Sequence, residues 1–387
     1  MRSIAKLHVL EGSAVIAGDV PPSADQVWRD VRDAVASRTV LLNGLSHRNH
    51  RVSLSPSQAL AVGLESSASV LVRERRDTLP LVPRMWNDEY EVLQYVSKSS
   101  PHLADLSPQP LRPARQPGAG IEEEPLVLLF IEGDTLDAVY PRGSALPSPL
   151  LDEIVGIFAA MAKVQEVDLP RVPSDWPSGD DSSAFIRRLA TFAQRDVEPL
   201  VREKLHPLLE RLGLPEHALQ RFVDRIPRLK RRPFCLLHTD LHRGNLVVGP
   251  QDRVSVIDWE FAMTGDPIYD ISTHMVRMGY PASQFDSVIG SWKASLDAAR
   301  PGLTEGIRAD LPIYLAYERA QSIYPDILRA ASSLGALIEE GVFARAVARI
   351  ESALQRAAAP LQLERTPDRR QIATALREWH RSRVGGS

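Results

Sequence analysis

Three oxygen-bearing side chains in the second half of the chain are spaced for chemistry. Asp240 can orient a hydroxyl and accept its proton. Asn245, five positions later, and Asp258 offer hard oxygen ligands, which suit Mg²⁺ shared between a protein and nucleotide phosphates. His238 stands two residues before Asp240 and belongs to the same candidate catalytic set, with a hydrogen-bonding part in holding the loop.

The elements that must position these groups are readable around them. Phe234-Cys235-Leu236-Leu237 is an apolar strand running into the polar loop His238-Thr239-Asp240-Leu241-His242-Arg243-Gly244-Asn245. Leu246-Val247-Val248 is a second strand, and Val254-Ser255-Val256-Ile257 a third that ends at Asp258. This places all three polar residues at strand ends, where functional groups are commonly displayed. The bland alternative is a hairpin whose Asp and Asn only make turns.

The rest of the chain divides around this island. Residues 1–38 form an N-terminal extension, with Ser23 capping a helix in which Val27, Trp28, Val31 and Val35 recur at helical spacing. Residues 39–133 carry short β-like runs, a helix over Met85 to Val96, and the apolar strand Pro125 to Ile131. Residues 134–360 are mainly helical and contain the island, and residues 361–387 read as a polar tail. The expected fold class is α+β in two lobes: a small antiparallel β-rich lobe and a larger, mainly helical one bearing a β-hairpin island.

Composition narrows the function. The chain has 387 residues, 46 Lys+Arg against 49 Asp+Glu, and a net charge of −3, which argues against a nucleic-acid binder. Its one cysteine, Cys235, excludes an internal disulfide and a cysteine-rich zinc module. No apolar run approaches the roughly 18 residues of a membrane span, and the N-terminus lacks the apolar core of a signal peptide. We therefore expect a cytoplasmic protein without a membrane or nucleic-acid partner, as a monomer or homodimer.

The pattern His238-x-Asp240-x4-Asn245, followed by strand-end Asp258, matches the kinase arrangement of a catalytic-loop Asp, a metal-binding Asn and a second metal-binding Asp. The segment resembles the catalytic loop of the aminoglycoside phosphotransferase and choline kinase superfamily, whose fold is protein-kinase-like. Ile257-Asp258-Trp259-Glu260-Phe261, with the later Asp266-Pro267 and Asp270, is similar to the corresponding run of bacterial choline kinases. The resemblance implies ATP, with GTP as the alternative nucleotide, and Mg²⁺. It also implies transfer of the γ-phosphate to a hydroxyl of an amino alcohol, aminoglycoside or related small metabolite.

That resemblance directs attention to the small lobe. A kinase needs a cation on the phosphates and a carboxylate holding it. No Lys lies between Lys6 and Lys98, so Arg73, after Ser69-Val70-Leu71-Val72, is the substitute. Among Asp88, Glu89 and Glu91, Glu89 shares a helical face with Leu93 and Val96 and should point inward. Asn43 to Val52 resembles a phosphate-binding loop, with Gly44 permitting its turn and Ser46 where relatives carry Thr. Phe130, Ile131 and Glu132 correspond to the adenine-binding hinge.

On the acceptor side, His242, Arg243, Glu260, Tyr317 and Glu318 are the candidates. A tyrosine stripe at helical spacing is more often core than a cation-binding cage. The stretch Ser272 to Gly279, with His274 and Arg277, could instead meet an anionic group. His238 and His242 lack a third clustered ligand for zinc. The rival from another class is a pseudokinase-like nucleotide binder, favoured by Arg73 for Lys and Thr239 for Arg, and opposed by the joint presence of Asp240, Asn245 and Asp258.

Overall fold

The computed structural model describes residues 22–37, 41–42, 47–64, 68–76, 79–112, 124–177 and 179–384. Gly44 and Ser46, and with them the centre of the expected phosphate loop, lie outside the described residues. Strands β1 (Leu41–Leu42), β2 (His47–Ser53), β3 (Ser69–Arg75), β4 (Pro110–Arg112) and β5 (Leu126–Leu129) form an antiparallel sheet in the order β1-β2-β3-β5-β4. The rest is mainly helical, so the expected α+β, kinase-like architecture is the one observed.

Strand alternation decides which residues reach the cleft. In β3, Val70 and Val72 face Val27 and Val31 of the helix Ala24–Ala36, in a small apolar cluster with Val52 and Val127. Arg73 therefore projects from the opposite face. Its cross-strand partner is Asn49, and His47, two residues earlier on β2, shares that face. The helix Glu89–Ser99 covers this side, starting later than the sequence suggested because Asp88 caps it by accepting from the Tyr90 N–H at 2.9 Å. Glu89, Val92, Leu93 and Val96 are buried together, while Glu91 faces outward.

The chain leaves the sheet at Phe130, whose N–H donates to Ser69 O at 2.9 Å. Gly133 has φ +142°, and a Cβ there would stand 2.4 Å from Val248 O, so only glycine fits this crossing. Strand β6 (Asp134–Thr135) then joins β8 (Leu246–Val248), which pairs with β9 (Val254–Val256). The first strand of the island behaves differently from the simple hairpin succession read in the sequence: β7 (Cys235–Leu237) pairs with β10 (Met263–Gly265). The catalytic loop thus spans two separate small sheets.

The expected polar tail is a correction. Arg369–Val384 is a helix, and Ile372, Ala375, Leu376 and Trp379 are buried against the large lobe. Their spacing is an ordinary apolar stripe, thinned by the surrounding arginines. Among the described residues, no helix is long and apolar enough to cross a membrane.

Packing beneath the island is close enough to test. A Cβ added to Gly265 would lie 2.3 Å from the Phe185 ring, whereas one on Gly290, in the helix Ala282–Ala299, would meet nothing. Gly265→Ala should lose about 1–3 kcal/mol in urea unfolding, while Gly290→Ala should gain up to about 1 kcal/mol. Equal midpoints for the two variants would contradict the packing of β10 on Phe185.

Candidate active site

The site is built around the Arg73 guanidinium. Its Nη1 donates to Glu89 at 2.5 and 2.7 Å, and its Nη2 donates to Asp258 Oδ1 at 2.6 Å and to His47 Nδ1 at 2.9 Å. The Trp259 N–H completes the set by donating to Glu89 Oε1 at 3.0 Å. One buried cation therefore ties strand, helix and the loop after β9. Burial alone would raise the Asp258 carboxyl, but Arg73 outweighs it and holds Asp258 below the usual range. Arg73 Nε is buried with no hydrogen-bond partner among the described residues, an orphan donor of the kind an anionic ligand satisfies.

Next to this cluster lies a second one. Burial, with the Asp258 charge beside it, pushes the Glu260 carboxyl up to about 7 against the opposing pull of Arg84. Glu260 pairs with Arg84 and lies 3.9 Å from His47. Burial and the neighbouring Arg73 push His47 down to about 3, so its neutral ring accepts the Arg73 proton. Glu260, expected to touch an acceptor, sits instead on the Arg73 side. No sequence signal marked Arg84 as its partner.

The catalytic loop is held by backbone-directed groups. Asp270 accepts from the His238 N–H at 3.0 Å and the Thr239 N–H at 2.7 Å. It does not cap its own helix: Asp266 does, accepting from the Ile268 N–H. Thr239 and Asp258 adopt φ of +62° and +70°, and Thr239 Oγ1 donates to Phe261 O at 2.9 Å. The buried His238 Nδ1 accepts from the Asp240 N–H at 3.3 Å, so its Nε2–H donates to Ile257 O at 3.1 Å. Its role in this geometry is to fix the loop.

Asp240 and Asn245 come together. Asn245 Nδ2 donates to Asp240 O at 2.9 Å and to Oδ2 at 3.2 Å, while the other Asp240 oxygen pairs with Arg277. The amide orientation leaves Asn245 Oδ1 free. Asp258 Oδ2 is likewise without a hydrogen-bond partner among the described residues. These two hard oxygens fit a small divalent cation. His47 Nδ1 and oxygens of Asp258 and Glu260 also lie within 4.8 Å of one another, but Arg73 and Arg84 already hold that group.

Other expected residues are placed elsewhere. Arg243 is buried and spends its donors on Met278 O, Tyr140 O and Ser144 O, which makes it a brace between loops. Tyr317 is in the core, with ring centroids 6.5 Å from Phe222 and 6.1 Å from Tyr269. Glu318 is buried and accepts from Arg277 Nε at 3.0 Å. His242, a third exposed at its side chain, lies 3.7 Å from Asp240. At the hinge, the Arg51 guanidinium covers the Phe130 ring at 4.3 Å and pairs with Glu132, while Ile131 is half-buried.

A family model described as "Phosphotransferase enzyme family" matches residues 57–303. No curated protein matches the sequence. A solved putative aminoglycoside phosphotransferase from Ralstonia eutropha JMP134 superposes with a TM-score of 0.52 at 15% identity, covering 88% of this chain and 92% of its own. A choline/ethanolamine kinase family protein from Mesorhizobium loti gives 0.45 at 15% identity, covering 91% of this chain and 99% of its own. A macrolide 2′-phosphotransferase from Brachybacterium faecium gives 0.46 at 16%, covering 88% and 99%. The first of these shares the fold.

The loop geometry sets a pH expectation. Burial pushes His238 down to about 4, against the weaker opposing pull of Asp240. Its imidazole should therefore remain neutral, with its NMR ring resonances unmoved, from pH 8 to about pH 5. Titration near the ordinary value of about 6.5 would break the Asp240 N–H to Nδ1 bond and contradict this arrangement.

Proposed function

The chain belongs to the phosphotransferase enzyme family, and we propose that it is a small-molecule kinase that moves the γ-phosphate of ATP to an acceptor hydroxyl. The observation that carries this reading is the Arg73 guanidinium joined at once to Glu89 and Asp258. This is the kinase logic of a phosphate-holding cation fixed by a helix carboxylate beside a metal-holding aspartate, with Arg in place of Lys. The orphan Arg73 Nε–H supports an anionic occupant on the same side.

In this reading the acceptor hydroxyl hydrogen-bonds to Asp240, held in place by Asn245. The hydroxyl oxygen bonds to the γ-phosphorus as the bond to the β,γ-bridging oxygen breaks. The hydroxyl proton passes to the Asp240 carboxylate, and ADP leaves. Asn245 Oδ1 and Asp258 would hold Mg²⁺, whose charge offsets that of the phosphates. Arg73 and backbone groups of the small lobe position the triphosphate, and Phe130 to Glu132 border the base. The partner is the acceptor alone, with no nucleic acid or membrane required.

ADP release from Mg-ATP across pooled amino alcohols, aminoglycosides, nucleosides, sugars and hydroxy acids tests the proposal. Asp240→Ala should cut acceptor-dependent release by ~10²- to 10⁴-fold while sparing nucleotide affinity. Unchanged turnover would refute the role of Asp240. No release from any pool, with nucleotide still bound, would favour the pseudokinase-like binder. Asp258→Ala should raise the Mg²⁺ needed for half-maximal nucleotide binding about 10-fold or more; an unshifted Mg²⁺ titration would exclude Asp258 as a ligand.

A further inference from the structure

Arg277 stands where the acceptor must approach. It occupies the last turn of the helix Pro267–Met278, whose end is fixed by Arg142: Nη2 donates to Val276 O at 2.8 Å and Nη1 to Arg277 O. Glu318 takes Nε, and Asp240 takes Nη1. Nη2 has no partner among the described residues, and the side chain is 25% exposed. A guanidinium locked on two sides thus keeps a pair of N–H donors open beside the aspartate that receives the hydroxyl.

The carboxylates that Arg277 and Arg329 touch are already paired. Asp240 and Glu318 share Arg277, and Asp326 is shared by Arg356 at 2.7 Å and Arg329 at 3.8 Å. Arg329 in turn feels the charges of Arg277 and Asp240. A cationic acceptor entering beside Arg277 would meet its positive charge and share carboxylates with which a guanidinium is already paired. An anionic acceptor would instead meet open N–H donors, and charge-assisted bonds to them are strong and directional.

Building on the kinase reading of this cleft, we propose that the acceptor carries a carboxylate or phosphate close to its reactive hydroxyl, and that Arg277 is the residue that recognises it. Asp240 has lone pairs to spare for the hydroxyl after Arg277 and Asn245 are satisfied. The same guanidinium therefore holds the receiving aspartate and sets its distance to the acceptor's anion. This makes Arg277 a specificity residue, and its position rests on Glu318 and Arg142.

Calorimetric binding to the full chain tests this without requiring transfer. The probes are D-glycerate and glycerol 3-phosphate as anions, choline and kanamycin as cations, and glycerol as the neutral control. We expect an anionic probe to bind at least about 10-fold tighter than either cation, and Arg277→Met to weaken it by ~10- to 100-fold. Arg277→Lys should retain part of that affinity, and a single cooperative thermal melt for each variant, even at a lowered midpoint, shows that they fold. Three results each overturn the proposal: cation binding that Arg277→Met tightens, anion binding that Arg277→Met leaves unchanged, or no binding of either anion. Any of them leaves the ADP-release test standing. Absent ADP release with anion binding intact would instead strike the kinase reading alone.

Discussion

A charge removed from water must be matched, and in this chain the match spans both lobes. Arg73 is buried, and burial works against its charge; Glu89 and Asp258 restore the balance and keep the guanidinium ionised. Removing one member of such a group leaves an uncompensated buried charge, at a typical cost of about 3–5 kcal/mol. The pairing therefore constrains much else. β3 must present Arg73 on the face away from Val70 and Val72, the helix Glu89–Ser99 must start where Asp88 caps it, and Asp258 must leave β9 in a left-handed conformation. Lysine would supply one point charge here. The planar fork of arginine reaches two carboxylates and an imidazole at once.

The larger lobe meets a similar demand with backbone groups. Positive φ at Thr239 and Asp258 is costly for side-chain-bearing residues, typically 1–3 kcal/mol each. Asp270 offsets that cost by accepting two successive N–H groups of the loop, and His238 adds bonds on either side of it. Burial pushes Asp270 up to about 6 even so, because the two backbone donors only partly replace water. The outcome is a loop whose polar residues are fixed before any ligand arrives, which is the preorganisation phosphoryl transfer relies on.

Much of this was legible from residue types and spacing. The Asp240–Asn245 interval, Asp258 at a strand end, and the inward face of Glu89 all follow from local rules, and the structure joins Glu89 and Asp258 to Arg73 and Asn245 to Asp240. What escaped depended on contacts between distant segments. Tyr317 and Glu318 are neighbours on one helix, yet one is core and the other pairs with Arg277, a distinction only the packing of the helix Pro267–Met278 decides. Arg243 looked like a ligand because it sits in the loop, but three carbonyls from other segments absorb it. The C-terminal helix was hidden by composition, since its arginines outnumber the four buried apolar residues that dock it.

The two arginine-centred clusters divide the cleft by function. Around Arg73, three carboxylates, two guanidiniums and a neutral imidazole are packed closely enough that burial keeps Glu260 near its midpoint at about 7. Around Arg277, the carboxylates are equally engaged, but one guanidinium edge is left open. Asp240 belongs to the Arg277 cluster, and Asn245 donates to it. The side holding Arg73 has an orphan buried N–H donor, and among the described residues the side holding Arg277 leaves Nη2 without a partner. Under the proposed kinase reading and acceptor, one fold would hold two anionic reactants close together, each met by a guanidinium that the protein has already fixed.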